Sequence, residues 1–344
     1  MEGGGAYNRG AAVQAAHAGS VLHLLEAAAP RVPLDATGAP LVIADYGCSQ
    51  GGNSLAPMRV AIKSLRHSAG PDRPICVVHI DQPGNDFASL FRLLEDDPVS
   101  YQRDEVNVFA SAVGRSFYKR VLPPGSVALG WSSNSVHWLS RLPEPVPDAW
   151  HAASTEIAHV RDAYARQSAE DWRQFLTYRG EELRAGGRLV VSHMAISDDG
   201  THAWEPMIRQ LHAQRNAMLA NGMISVDEDA RMVVPTLGRS RNDLLAPFDA
   251  GGRFAGLVVE YLDVVLAPDP IWEEFQRSGD TAAFGTRWAT TARVTLAPSL
   301  AAALDPKLRA AFLDRLEAGL AARFTAEPEP MLMWFGSIVL AKED

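Results

Sequence analysis

Cysteine is scarce: the 344 residues include only two, Cys48 and Cys76. Neither belongs to a CxxC or CxxH pattern, which excludes the usual redox motifs and zinc knuckles, and no other metal-ligand spacing is evident. The expectation is two reduced thiols, which fits a reducing cytoplasm. Long hydrophobic runs are missing too. No stretch approaches the roughly 18 uninterrupted apolar residues that mark a membrane span. The start, MEGGGAYNRGAAVQ, lacks the basic end and apolar run of a signal peptide. Positive charge is also in short supply. There are 32 Lys and Arg against 41 Asp and Glu, a formal net charge of −9, with no basic cluster. That argues against nucleic acid or an anionic membrane as partner, because phosphates are bound mainly through clustered Lys and Arg.

What is present is the composition of a chain that buries a real core, with 47% hydrophobic and 21% charged residues. Val13, Val21, Leu24 and Leu25 are spaced as on a helix that Pro30 ends. Leu41–Ala44 is a short apolar run ending at Asp45 and reads as a strand buried on both faces. Residues 54–65 read as the following helix. Ile75–Ile80 is a second such strand, ending at Asp81. Val127–Gly130 is a third and Arg188–Met194 a fourth, with a long helix within residues 154–183 between them. Alternating buried strands and helices predict an α/β fold: a mostly parallel sheet with helices on both faces. After about Ser197 the pattern becomes largely helical, with a strand expected near residues 256–262 and a last strand at 331–340. The expected organisation is one domain from residues 1–197 and 298–344, with an inserted, mostly helical lobe at 198–297.

The stretch LVIADYGCSQGGNSL, Leu41 to Leu55, carries the first functional signal. A strand delivers a carboxylate, then Gly47, Gly51 and Gly52 precede a helix. Glycines let a ligand approach the backbone, and a helix N-terminus offers free N–H donors. The spacing is not the GxGxxG of a dinucleotide fold. Asp81 at the end of the next strand has the chemistry to accept two hydrogen bonds from a ribose diol. Capping of the following helices fits the position of both acids equally well.

Further stretches narrow the choice. HIDQPGNDFASLF, GRSFYKRVLPPGS and WSSNSVHWLSRLP, together with the opening MEGGGAYNRGAAVQ and the strand AGGRLVVS, resemble the SABATH family of S-adenosylmethionine-dependent carboxyl methyltransferases. That family includes salicylic, benzoic and jasmonic acid methyltransferases and the N-methyltransferases of caffeine synthesis. The resemblance implies a class I methyltransferase, Rossmann-like sheet with a helical cap, and S-adenosyl-L-methionine as cofactor. It assigns Asp81, with Gln82 beside it, to the ribose and Ser116 and Phe117 to the adenine. Asp45, Gly47 and Asn53 fall at the methionine end, Tyr7 closes over it, and Ser132 lies nearby. Gln14 and Trp138 match the residues that hold the acceptor carboxylate. Asn134, His137 and, by looser alignment, Met207, Ile208, Leu237, Ala292, Thr295 and Trp334 fall at pocket positions. Three departures stand out: Ala11 replaces a Ser, Asn134 replaces an aromatic, and the cap is short. Family members are often dimers, so the resemblance also allows a homodimer.

The chemistry fits these residue types. A carboxylic acid is already ionised at pH 7, so its methylation requires no general base. The enzyme must instead align the reacting atoms and exclude water, and orientation alone can remove roughly 7–11 kcal/mol of barrier. Gln14 and Trp138 supply neutral N–H donors. An apolar pocket suits a small aromatic, indolic or aliphatic acid. Three other readings stay open on the sequence: N-methylation of a small heterocycle, a nicotinamide-dependent reductase, and a cofactor-binding protein without turnover.

Overall fold

The computed structural model describes Gly5, Asn8, Gly10, residues 12–35 and residues 37–343. The apolar runs become strands β1 (Leu41–Tyr46), β2 (Ile75–Asp81), β4 (Val127–Ser133) and β5 (Leu183–Met194). A strand the sequence pattern did not suggest, β3 (Val108–Gly114), lies beside β2. It forms one edge of the sheet and only Val108 of its residues is buried, so its run of Ala and Ser never reads as a buried strand. β1 to β5 are mutually parallel, in the order β3-β2-β1-β4-β5.

The chain then returns antiparallel. β8 (Met333–Lys342) pairs with β5 along its length, β7 (Leu257–Ala267) pairs with β8, and the short β6 (Arg253–Phe254) pairs with the start of β7. Residues 198–297 thus hold two kinds of structure. β6 and β7 extend the main sheet, while the flanking stretches are helical.

Helix α1 (Ala12–Ser20) precedes the sheet and α2 (Leu55–Ala69) follows β1. Leu55, Met58, Ala61, Ile62 and Leu65 of α2 form a buried stripe at three- and four-residue spacing that packs against one sheet face. α3 (Phe87–Asp96) lies on the same side, its N-terminus capped by Asp86, whose side chain accepts from Ser89 N. α4 (Ala158–Glu182) covers the opposite face with Trp172, Phe175 and Leu176, all fully buried. Each of these side chains is worth about 1.5–3 kcal/mol of burial. The helices α5 (Glu205–Ala220), α6 (Thr281–Thr295) and α7 (Pro306–Ala326) build a separate apolar cluster around Trp288 that includes Met333 and Phe335 of β8. No helix among the described residues is long and apolar enough to cross a membrane.

Strand order reverses between β1 and β4, because the chain runs outward to β2 and β3 and then returns to the other side of β1. Crevices at the carboxyl ends of such strands are where open α/β sheets take their ligands. Asp45, Asp81 and the segment after Ser133 all lie at that end.

Candidate active site

A cavity of about 540 Å³ opens at this reversal. Its floor comes from the loops after β1, β2 and β4, and its far wall from α6 and the short helix Ala297–Ala301. Of the residues singled out in the sequence, Gln14, Asp45, Gly47, Asn53, Asp81, Gln82, Phe117, Asn134, His137, Trp138 and Thr295 line it together.

The turn after β1 is built for close approach. Gly47 has φ +91°, and a Cβ there would fall 2.0 Å from Ser135 Oγ, so only glycine fits. Asn8 straps the turn from the N-terminal side. Its Nδ2 donates to the Gln50 carbonyl at 3.0 Å, and its Oδ1 accepts from Gly52 N at 3.0 Å.

Both acids are oriented by their surroundings. Asp81 accepts backbone N–H bonds from Ser49 and Gln82, each at 2.7 Å. Each oxygen keeps a further lone pair for a ligand hydroxyl. Burial raises the Asp81 pKa, and these two hydrogen bonds oppose the rise. Asp45 uses one oxygen, Oδ2, for Ser54 Oγ at 2.6 Å and His79 Nδ1 at 2.8 Å. The other ring nitrogen, His79 Nε2, meets the Tyr101 hydroxyl at 2.8 Å. A buried chain of Asp45, His79 and Tyr101 therefore fixes the carboxylate and leaves Oδ1 for the cavity. Neither His79 nor Tyr101 stood out in the sequence, since a single His inside an apolar strand reads as core.

Buried arginines hold the upper loops. Arg179 donates to the Phe117 and Lys119 carbonyls at 2.6 and 3.0 Å and pairs with Glu182 at 2.9 Å. Glu182 in turn accepts from Tyr46 and from the backbone of Val121 and Leu122. This network presents Phe117 to the cavity. Arg239 bonds the Val136 carbonyl at 2.6 Å, and the Tyr118 hydroxyl faces the Val136 and Trp138 carbonyls at 2.8 and 2.7 Å. Together they brace the segment that carries His137 and Trp138.

Gln14 sits on α1 and is 6% exposed. Its Oε1 is buried without a partner, which leaves Nε2 as the end that can donate to a ligand. The same helix is pinned three residues on: His17 Nε2 meets Ser192 Oγ at 2.8 Å, Ser192 Oγ meets Ser337 Oγ at 2.8 Å, and the His17 ring stacks on Phe335. Burial, then the neighbouring His193, holds the His17 pKa down at about 3. Burial, with His193, Arg239, His17 and His151 adding to it, also holds His137 well below its ordinary value. The imidazole on the cavity wall is therefore neutral at pH 7. Among the described residues no Lys or Arg lines the cavity.

Several expected residues sit elsewhere. Ser132 is fully buried beneath the floor, where its Oγ donates to the Tyr46 carbonyl at 2.9 Å. Ser116 accepts from Tyr118 N at 3.3 Å and shapes the Phe117 turn without lining the cavity. Met207, Ala292 and Trp334 belong to the apolar cluster of the helical region, Leu237 packs against a smaller cluster near Tyr164, and Ile208 is buried off the wall. Helical spacing marks an apolar face but does not say which space it fills. Met194, Trp204, Val294, Leu296 and Pro298 supply the apolar wall instead. Tyr7 lies outside the described residues.

The donors and acceptors suit S-adenosylmethionine. Among its described lining residues the cavity holds two carboxylates and no cation for a ligand that carries a sulfonium and an ammonium, a glycine turn for its extended tail, and an aromatic ring at Phe117 for a flat base.

Comparison with known proteins agrees. The family model described as SAM dependent carboxyl methyltransferase matches residues 1–342. Gibberellic acid methyltransferase 2 of Arabidopsis thaliana is 28% identical over 81% of this chain and 76% of that protein. Salicylate carboxymethyltransferase of Clarkia breweri is 32% identical over 70% of this chain and 67% of that protein. Among solved structures, loganic acid methyltransferase with SAH superposes with a TM-score of 0.82, covering 100% of this chain and 99% of that one at 21% identity, a likeness of fold. The chain belongs to the SABATH family of S-adenosylmethionine-dependent carboxyl methyltransferases.

Proposed function

We propose that this enzyme forms the methyl ester of a small apolar carboxylic acid, and that it does so without a general base. One observation carries the reading. A single cavity joins the Asp45–Asp81 end to the Gln14–Trp138 end, has an apolar far wall, and has no cationic side chain among its described lining residues. An acid held by Lys or Arg would be bound tightly but blunted as a nucleophile. Two neutral N–H donors, from Gln14 and Trp138, orient the anion while leaving its charge available.

S-adenosylmethionine, when bound, supplies the sulfonium-borne methyl group. In this reading Asp81 and Gln82 would hold the ribose, Phe117 would contact the adenine, and Asp45, Gly47 and Asn53 would receive the methionine end. Gln14 and Trp138 then aim one carboxylate oxygen of the acceptor, and Met194, Trp204, Val294 and Leu296 keep water away. Cys48, which also lines the cavity, is removed from competition as a nucleophile. Burial, reinforced by Asp45 and Asp81, raises its pKa well above the ordinary value, so it remains a thiol. The cap in this proposal consists of α5, α6 and the short helix after it, rather than one unbroken insert over 198–297. A homodimer in a reducing cytoplasm belongs to the same proposal, and Cys48 and Cys76 are both free thiols in the fold.

The test is a methyl-transfer screen over aromatic, indolic and aliphatic acids with ester detection, run beside calorimetry with S-adenosylmethionine. Ester formation from at least one such acid is expected. Methylation confined to heterocyclic nitrogens would overturn the carboxylate reading.

A further inference from the structure

We propose that Asn134 is a specificity residue: its amide oxygen accepts a hydrogen bond from a hydroxyl or N–H group that the acceptor acid carries near its carboxyl group. This rests on the carboxylate reading above and adds the substrate's second polar feature to it.

The placement comes from the backbone. Asn134 follows directly on β4, has φ +54°, and donates its own N–H to the Ser192 carbonyl of β5 at 2.9 Å. That left-handed conformation suits Asn and disfavours bulky residues. The side chain therefore stands at the junction of β4 and β5, on the cavity wall, beside the helix that carries Gln14.

The orientation of the amide follows from its partners. Nδ2 faces Ser133 Oγ at 3.1 Å and the Gln14 carbonyl at 3.4 Å. Turning the amide over would set two carbonyl oxygens against each other, so the nitrogen belongs on the protein side. Oδ1 is then left without a hydrogen-bond partner among the described residues, and it is not among the sealed, unpartnered atoms of the core. It faces the cavity as an acceptor.

An ionised carboxylate cannot satisfy it, because a carboxylate only accepts. The Thr295 hydroxyl across the pocket is not that donor, because its hydrogen is already committed to the Thr291 carbonyl at 2.6 Å, and the Gln14 and Trp138 N–H groups serve the acceptor carboxylate in the reading above. The complementary donor has to arrive with the ligand. A hydroxylated or indole-like acid brings one, whereas a pure hydrocarbon acid would leave Oδ1 desolvated and unpaired.

Matched acids test this. Indole-3-acetate is compared with benzofuran-3-acetate, in which the N–H becomes an oxygen, and 3-hydroxyphenylacetate with phenylacetate. For the wild type, kcat/KM is expected to favour the donor-bearing acid of at least one pair roughly tenfold, the effect of about one net hydrogen bond. In Asn134→Gly, a change the backbone tolerates, the preference should collapse to within about twofold. Because each preference is a ratio within one protein preparation, partial misfolding of the variant cancels. Equal kcat/KM within both wild-type pairs overturns the proposal, and so does a preference that survives in Asn134→Gly. A variant that loses S-adenosylmethionine affinity while keeping the acid preference would show that Oδ1 serves the donor's ammonium instead, and also overturns it. If the wild type binds S-adenosylmethionine but esterifies none of the four acids nor any in the wider screen, the carboxylate reading itself has failed, a result distinct from lost discrimination.

Discussion

Lowering the pH from 7.5 to 5.5 should cost this fold about 4 kcal/mol, through histidines that are too well buried to take a proton. His17, His151 and His193 are 4%, 8% and 0% exposed, so solvent does little to soften the effect. Each has its pKa held at about 3 by burial first; His193 adds to this for His17, His202 for His151 and Arg239 for His193. In the unfolded chain the same groups titrate near 6.5. The native pKa is depressed, so above pH 6.5 both states are neutral and stability is at its full value. As the pH falls below 6.5 the unfolded chain binds protons that the native state refuses, and stability drops by about 1.4 kcal/mol per pH unit per histidine until the native pKa is reached. Between pH 7.5 and 5.5 that is about 1.4 kcal/mol for each, or about 4 kcal/mol for three, against a typical total of about 5–15 kcal/mol; His137, which burial also holds well below its ordinary value, adds to the loss in the same direction. The result does not depend on whether the native values lie at 3 or a unit higher. Asp81 and Asp269, whose pKa values burial raises, act in the opposite sense. The assay is reversible urea unfolding at both pH values, followed by the fluorescence of the eight tryptophans. His193→Phe should reduce the pH slope by about a quarter to a third, one histidine's share. Equal stability at the two pH values, or a slope that the substitution leaves untouched, would refute the reasoning.

Two further predictions concern the site. Gln14→Ala should lower kcat/KM for the acid about 10- to 100-fold, as for loss of a hydrogen bond to a charged group, with S-adenosylmethionine affinity by calorimetry unchanged; equal losses in both would place Gln14 outside the acceptor contact. His79→Leu removes the N–H that holds Asp45 Oδ2 and should weaken S-adenosylmethionine binding about 5- to 10-fold, with the acid KM unmoved. Tyr101→Phe, which removes only the outer link of that chain, should have a smaller effect in the same direction.

Strand ends were the most legible part of this molecule. Asp45 and Asp81 close apolar runs, and the sheet places both at the cavity because a buried parallel strand leaves little else for a terminal acid to do. Gln14 and Trp138 carried no such signal. Neither residue type nor spacing distinguishes them from surface and core, and only the family resemblance marked them. The acceptor wall was the least legible. Met207 and Ala292 show the right apolar periodicity, yet they turn into the cluster around Trp288, while Val294 and Trp204, a few residues away on the same elements or their ends, meet the cavity. A helix wedged between two apolar spaces has two hydrophobic faces, and a one-dimensional pattern does not rank them. The chain from His79 to Tyr101 was invisible for a related reason: polar groups satisfied by one another inside a core leave no compositional trace.

The position of β8 has a consequence for how the polypeptide assembles. Residues 333–342 lie between 183–194 on one flank and 257–267 on the other. On a ribosome, β7 emerges long before β8, the long strand it pairs with, and it cannot join the growing sheet directly because β5 is not its neighbour. Its apolar residues must wait, exposed or transiently sheltered, until the final segment threads into the gap. Such late, long-range closure makes folding slow and leaves the intermediate prone to aggregation.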